Sequence, residues 1–220
     1  MHELKQEEQN KPIAVLSGDV IGSSELSHEA YEELLYTLNT QLTFIRSLHP
    51  NNKFEISRGD AFQVLVDDAE NAAKYALLIR TSLLSTSSRY DCRISVAIGH
   101  DVSIRHTVAS STGDAFTLSG RALDNMSSDA LKVTTLSPPF NDCFALLTSY
   151  VDHHVSEMTE RQSAITYIML KNQKPITQKE IAQQLGANRV SINRSINTAK
   201  LNFITEYTQL FSLKVREFFL

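Results

Sequence analysis

Two aspartates close two short apolar runs in this chain. Asp19 ends Ile13-Ala14-Val15-Leu16-Ser17-Gly18 and is followed by Val20-Ile21-Gly22-Ser23, and Asp60 lies in Ile56-Ser57-Arg58-Gly59-Asp60-Ala61-Phe62. A strand, a helix and a hairpin between them would carry both carboxylates to one edge of a sheet, where such a pair can hold divalent metal against phosphates. The plainer alternative is that each Asp closes its own turn, a place the residue favours for local hydrogen bonds. Arg58 could also neutralise Asp60 as a surface ion pair. A second cluster begins at Thr177-Gln178-Lys179-Glu180-Ile181-Ala182-Gln183-Gln184-Leu185-Gly186 and continues with Asn188, Arg189, Ser191, Asn193, Arg194 and Asn197 interleaved with Val190, Ile192 and Ile196. Thr177 with Glu180 three residues on is a capping box, and Gly186 suits a sharp turn. Asn and Arg at the start of the following helix are side chains that reach base edges and phosphates of double-stranded DNA. An ordinary pair of helices with a solvated face is the alternative.

Elements must place these residues. Pro12 opens a strand that ends at Asp19. Ser27 is an N-cap with Glu29 in the first turn, and Tyr31, Leu34, Leu35, Leu38, Leu42, Ile45 and Leu48 recur at helical spacing until His49-Pro50. Phe54 and Ile56 before Gly59, and Phe62, Val64 and Val66 after it, alternate as two strands with Asp60 at their tip. Asp67 or Asp68 caps a helix carrying Ala69, Ala72, Ala73, Ala76, Ile79 and Leu83, and the strand at 92–98 follows. Strand, helix, two strands, helix, strand is the ferredoxin-like order, with its helices on one face of an antiparallel sheet. A Ser/Thr-rich loop at 107–112 then leads to a helix from Gly113, and a short strand around Leu131 and Val133 ends the domain. Beyond Ser137-Pro138-Pro139 everything has helical periodicity. The expected fold is therefore α+β, with a fraying tail at 1–11, a ferredoxin-like domain at 12–136, and an all-α domain at 137–220 whose helix-turn-helix spans 177–200. The last stretch, with Phe203, Tyr207, Leu210, Phe211, Leu213, Val215, Phe218 and Phe219, is too apolar to stay exposed and suits a dimer seam or packing onto the first domain.

Charge is unevenly placed. Residues 1–156 hold 12 Lys/Arg against 20 Asp/Glu, whereas 157–220 hold 9 against 5, so only the tail has the sign to follow phosphates. The two cysteines, Cys92 and Cys143, lack the spacing zinc needs and are expected to be buried thiols in a reducing compartment. The seven histidines show no pattern for a shared metal, His153 and His154 pointing about 100° apart on a helix. No apolar run is long enough for a membrane span and the charged N-terminus leads into no signal core, so a cytoplasmic protein without a membrane partner is expected.

Residues 12–135 resemble the class III nucleotidyl cyclase catalytic domain, and more closely its bacterial relatives of the SatD type, which also carry a helix-turn-helix tail. The resemblance implies that Asp19 and Asp60 hold Mg or Mn, and that Gly18, Gly22, Ser23 and Gly59 belong to turns that meet the phosphates of a bound nucleotide. It also implies catalytic positions at Thr117 and Arg121, where such cyclases place an Asn and an Arg four residues apart. Thr117 departs from that pattern, with a shorter reach. Ile56 and Ser110 stand where active adenylyl cyclases carry the Lys and Asp that read adenine. Losing both polar readers removes a discrimination of several kcal/mol and argues against ordinary ATP cyclisation.

The resulting expectation is a cytoplasmic, homodimeric DNA-binding regulator of transcription, with a degenerate cyclase-like domain that binds nucleotide and divalent metal. Its rival is an active nucleotidyl cyclase, a lyase, or a related metal-dependent phosphotransfer enzyme. A non-catalytic dimerising scaffold is the third reading.

Overall fold

In this computed structural model, residues 11–57, 59–100, 102–105 and 107–220 are described. Most of the expected fraying tail and the Arg58–Asp60 pair lie outside them. β1 (Ile13–Val20) is the middle strand of a five-stranded sheet ordered β2-β3-β1-β4-β7. β2 (Lys53–Ser57) and β3 (Ala61–Val66) form the hairpin, and β3 and β4 (Cys92–Gly99) both run antiparallel to β1. The first four strands thus have ferredoxin-like order. β7 (Leu131–Thr135) departs from an all-antiparallel sheet by pairing parallel with β4, because the connection between them contains a helix. β5 (Val102–Ser103) and β6 (Thr112–Gly113) make a separate two-stranded piece within that connection.

The alternation of β1 decides the layers. Ala14, Leu16 and Val20 face α1 (His28–Leu48) and α2 (Ala72–Thr86), whereas Ile13 and Val15 face the other way, onto Ala115 and Phe116 of α3 (Asp114–Asp124). α1 starts as expected, with Ser27 Oγ accepting from the Ala30 amide, and buries Leu34, Leu38, Leu42 and Ile45. α2 does not start as expected. Asp68 caps no helical amide, since its Oδ2 accepts from the Tyr75 hydroxyl and the Asn71 side-chain amide. Asp67 is spent on Lys11 and on the loop at Asn51 and Asn52. α2 is buried around most of its circumference because α1 and the sheet cover one side and α5 (Glu160–Lys171) the other.

The remaining chain is helical: α4 (Pro138–Ser156), α5, α6 (Gln178–Gln184), α7 (Arg189–Thr198) and α8 (Asn202–Phe219). One buried apolar cluster runs from Ala14 to Val215 without a break at 136. α8 takes the inward option expected for the apolar terminus. Its Phe211 ring stands edge-on to Phe140 and Phe144, which stack at 4.7 Å, and Tyr207 shares a hydrogen bond with Thr148. Phe203, Leu210 and Leu213 on its outer side remain exposed. Cys92 is buried, but Cys143 is exposed, because it falls on the outer side of α4 next to the inward Phe144.

An ion cluster locks the two parts. Arg80 of α2 is completely buried and grips Asp91 through Nε (2.9 Å) and Nη2 (2.6 Å). Its Nη1 donates to Asp152 of α4 at 2.6 Å and Nη2 also reaches the Ser156 hydroxyl. The second oxygen of Asp152 accepts from the Ala130 amide ahead of β7. Burial alone would lower the Arg80 pKa, and the two carboxylates more than reverse that, so the guanidinium stays charged.

Candidate functional site: a cleft beside Asp19

Asp19 and Asp60 do come to one edge of the sheet. Asp19 stands opposite Ala61 in the β1–β3 ladder, with Asp60 the next residue along the hairpin. Register also sets Asp19 opposite Arg93 on β4, and both project onto the α3 face because they share the parity of Val15. Arg93 Nε donates to Asp19 Oδ1 at 2.9 Å and Nη2 to Oδ2 at 2.5 Å, a fork on both carboxylate oxygens. Nη1 donates to the Met126 carbonyl, which fixes the guanidinium over the end of α3. Hydrogen bonding to Asp19 raises the Arg93 pKa. Asp60 has a different partner: the Ser23 hydroxyl donates to its Oδ2 at 2.5 Å, tying the hairpin tip to the turn after β1.

That turn forms one wall of a cleft of about 360 Å³, with Arg93 as its floor and residues 127–129 opposite. Gly22 adopts φ 65°, in the left-handed region where glycine is favoured, and begins the short 3₁₀ turn Ser23–Glu25. The turn is anchored from behind, the Ile21 amide donating to the Asp91 carbonyl. Gly59 has φ 87°, and a Cβ there would stand 2.5 Å from the Tyr31 hydroxyl. Gly18 lies off the cleft; a Cβ on it would meet the Phe62 ring at 2.4 Å and the Arg93 carbonyl at 2.7 Å, so its smallness lets that ring cross β1.

Thr117 and Arg121 lie on the solvent side of α3, whose inner side carries Ala115, Ser119 and Ala122. The Thr117 hydroxyl donates back to the Gly113 carbonyl, and among the described residues no hydrogen bond or ion pair joins Thr117 or Arg121 to Asp19 or Asp60. Ser110 is occupied within its own loop by Thr107, and Ile56 belongs to β2.

The donors do not make a metal cage. Both oxygens of Asp19 are engaged by a guanidinium, one oxygen of Asp60 by a hydroxyl, and no group of three or more His, Cys, Asp or Glu that could hold an ion occurs among the described residues. The cleft is lined by the Arg93 guanidinium, already paired with Asp19, by Ser127, Ser128 and the acid Asp129, and by a glycine turn, so an anionic oxygen group entering it would take Arg93 from Asp19 and lie near a second carboxylate.

At the other end, Thr177 and Glu180 form the expected capping box at the start of α6, which holds the Glu180 carboxyl below its ordinary pKa. Gly186 makes the turn at φ 57°, and the Asn188 side chain caps α7 by accepting from the Val190 amide. Ile192 and Ile196 are buried, whereas Val190 is 74% exposed. Asn188, Arg189, Asn193, Arg194 and Asn197 are exposed along α7. Asn193 Oδ1 accepts from Gln178 and Asn197, and Ser191 is half-buried, its hydroxyl accepting from Arg161 and donating to the Asn188 carbonyl.

Arg93 is the residue that the motif reading passed over. Its signal was parity: Ser17 and Asp19 break the apolar pattern of β1 on one face, and Arg93 and Ser95 break that of β4 in the same phase.

No family model matches the sequence, and no curated protein matches it either. Among solved structures, the guanylyl cyclase Cya2 is similar at 18% identity and a TM-score of 0.44, over 56% of this chain and 74% of that one. A bacterial light-regulated adenylyl cyclase is similar at 17% identity and 0.43, over 56% of this chain and 75% of that one. No helix among the described residues is long and apolar enough to cross a membrane.

Proposed function

We propose that this chain is a DNA-binding regulator whose N-terminal body binds the phosphates of a nucleotide in the cleft beside Asp19, without cyclising it. The Asp19–Arg93 fork carries this reading. An incoming phosphate offers Arg93 a better partner than Asp19, because it brings more negative oxygen to the same planar fork. The turn at 20–22 and the two serines then complete its contacts, and Ser23 keeps the Asp60 tip closed over them. No step requires a metal ion. Thr117 and Arg121, turned to solvent, take no part in one copy.

The tail supplies the DNA contacts in this reading. Arg189 and Arg194 meet phosphates and Asn193 reaches a base edge through its Nδ2 amide, since its carbonyl is held by neighbours. The regulator works as a homodimer on a two-fold site, with the exposed Phe203 and Leu210 of α8 near its seam. A gel-shift titration of genomic fragments with the full chain, with and without ATP or GTP, tests this. Retention that nucleotide alters, that weakens in Arg189→Ala and Arg194→Ala, and whose nucleotide response is lost in Arg93→Ala is expected; no retention at low salt overturns it.

The second reading, an active nucleotidyl cyclase, is favoured by one observation, the placing of Asp19 and Asp60 at the same sheet edge. Chromatography after incubation with ATP or GTP and Mn²⁺ separates the two: cyclic product that disappears in Asp60→Ala would establish the enzyme.

A further inference from the structure

A second cleft shares no lining residue with the first. About 600 Å³ in volume, it opens where the start of α2, the segment 169–176 after and including the end of α5, and one face of α8 converge. Among the described residues three cations line it, Lys74, Lys174 and Arg216, and no carboxylate does. A side lobe of about 340 Å³ shares Asn71, Lys74 and Gln173 with it and adds Lys171. The one acid that lines the side lobe among the described residues, Asp68, accepts from the Tyr75 hydroxyl and the Asn71 side-chain amide through Oδ2, while its Oδ1 is buried without a hydrogen-bond partner. Among the described residues Lys74 makes no hydrogen bond or ion pair, and the Arg216 guanidinium pairs only with Glu70, at 3.6 Å. The rest of the lining is amide and hydroxyl, including Asn202, Thr205 and Gln209.

Such a lining is unbalanced. A half-buried ammonium that makes no ion pair raises the free energy of the folded state; burial lowers the Lys74 pKa, and the field of Asp68 only partly opposes it. Three cations around a concave space, with neutral donors between them, match the several charged oxygens of a phosphate or diphosphate group. The size is that of a small-molecule pocket rather than of a track for a polymer.

We propose that this cleft is a binding site for a small phosphorylated ligand, separate from the cleft at Arg93. Lys74 belongs to α2 of the N-terminal body, whereas Lys174 and Arg216 belong to the helical tail, so the ligand's charge clamps the two together. Occupancy stabilises the packing of α8 and α5 on α2 and with it the seat of the α6–α7 pair. The site is an effector site in the tail's own foundation, and it does not depend on what the first cleft binds.

The test uses pyrophosphate as probe and the full-length chain carrying Arg93→Ala, which removes the cation of the first cleft. Calorimetric titration should still show saturable binding, and Lys74→Ala and Lys174→Ala on that background should each weaken it about tenfold or more. Lys200→Ala, an exposed lysine outside the cleft, should leave it unchanged. Loss of all binding in Arg93→Ala alone, or equal affinity in both lysine variants, overturns the proposal. Lys174 is exposed, so its variant keeps the test decisive if Lys74→Ala fails to fold. Duplex DNA that binds through the same lysines while pyrophosphate does not would make the cleft a nucleic-acid contact and would likewise overturn it.

Discussion

Asp19→Asn separates the phosphate site from a metal site by the sign of its effect. In the structure Asp19 competes with any incoming anion for the Arg93 guanidinium. The two side chains are 27% and 34% exposed, so the fork is worth about 1 kcal/mol after solvent screening. Deleting the carboxylate charge also removes repulsion of a phosphate roughly 5 Å away, which at a dielectric close to that of water, as for a cleft open to solvent, contributes about 1 kcal/mol more. The sum corresponds to affinity tighter by roughly thirtyfold. Calorimetric titration of ATP in the presence of EDTA measures it, with Arg93→Ala as the opposite control, expected to bind far more weakly than the unaltered chain. If Asp19→Asn instead loses affinity, and if the unaltered chain binds ATP only with Mg²⁺ present, then Asp19 is a metal ligand and the account of the fork is refuted.

Other perturbations have equally definite outcomes. Asp152→Ala leaves Arg80 with one carboxylate and strands the Ala130 amide, so a loss of about 3 to 5 kcal/mol is expected, seen as a thermal midpoint lower by roughly 10 °C. Glu180 has its folded pKa depressed by the Thr177 hydroxyl and amide; its contribution is complete above the ordinary value of 4.5 and is lost as pH falls below it, so α6 amides should gain exchange in that acidic range before the sheet does. A thiol reagent should modify Cys143 in the native chain and leave Cys92 intact until unfolding, since burial pushes the Cys92 thiol pKa well up.

What could be read from sequence was local. Alternation located β1 and the hairpin, heptad-like spacing located α1, and the Thr177–Glu180 box located α6, because each signal sits within a few residues. The start of α2 differs from the expectation because Asp67 and Asp68 look like caps, whereas Asp67 pairs with the distant Lys11 and Asp68 is taken by the Tyr75 hydroxyl on α2 itself. Cys143 was misplaced because its apolar neighbours share a helix but not a face with it. The pairing of Asp19 with Arg93 depends on strand register, and the cluster at Arg80 on three segments separated by up to 76 positions; neither leaves a motif. The cationic cleft is likewise assembled from α2 and α8, distant in sequence, and shows only in three dimensions.

The Arg80 cluster has a consequence for anyone who would take the chain apart. Asp91 anchors the turn that walls the first cleft, and Asp152 holds the segment entering β7, yet one guanidinium holds both carboxylates. A cut after 136, where the composition changes character, would remove Asp152 and strip α5 from the outer side of α2. The severed N-terminal piece would expose an apolar helix surface and a half-matched buried cation, and would be sticky and misshapen at the cleft it was cut out to isolate. A foreign tail would seat on this body only if it brought its own aspartate to meet Arg80, which makes that arginine the place where a chimera should be tailored.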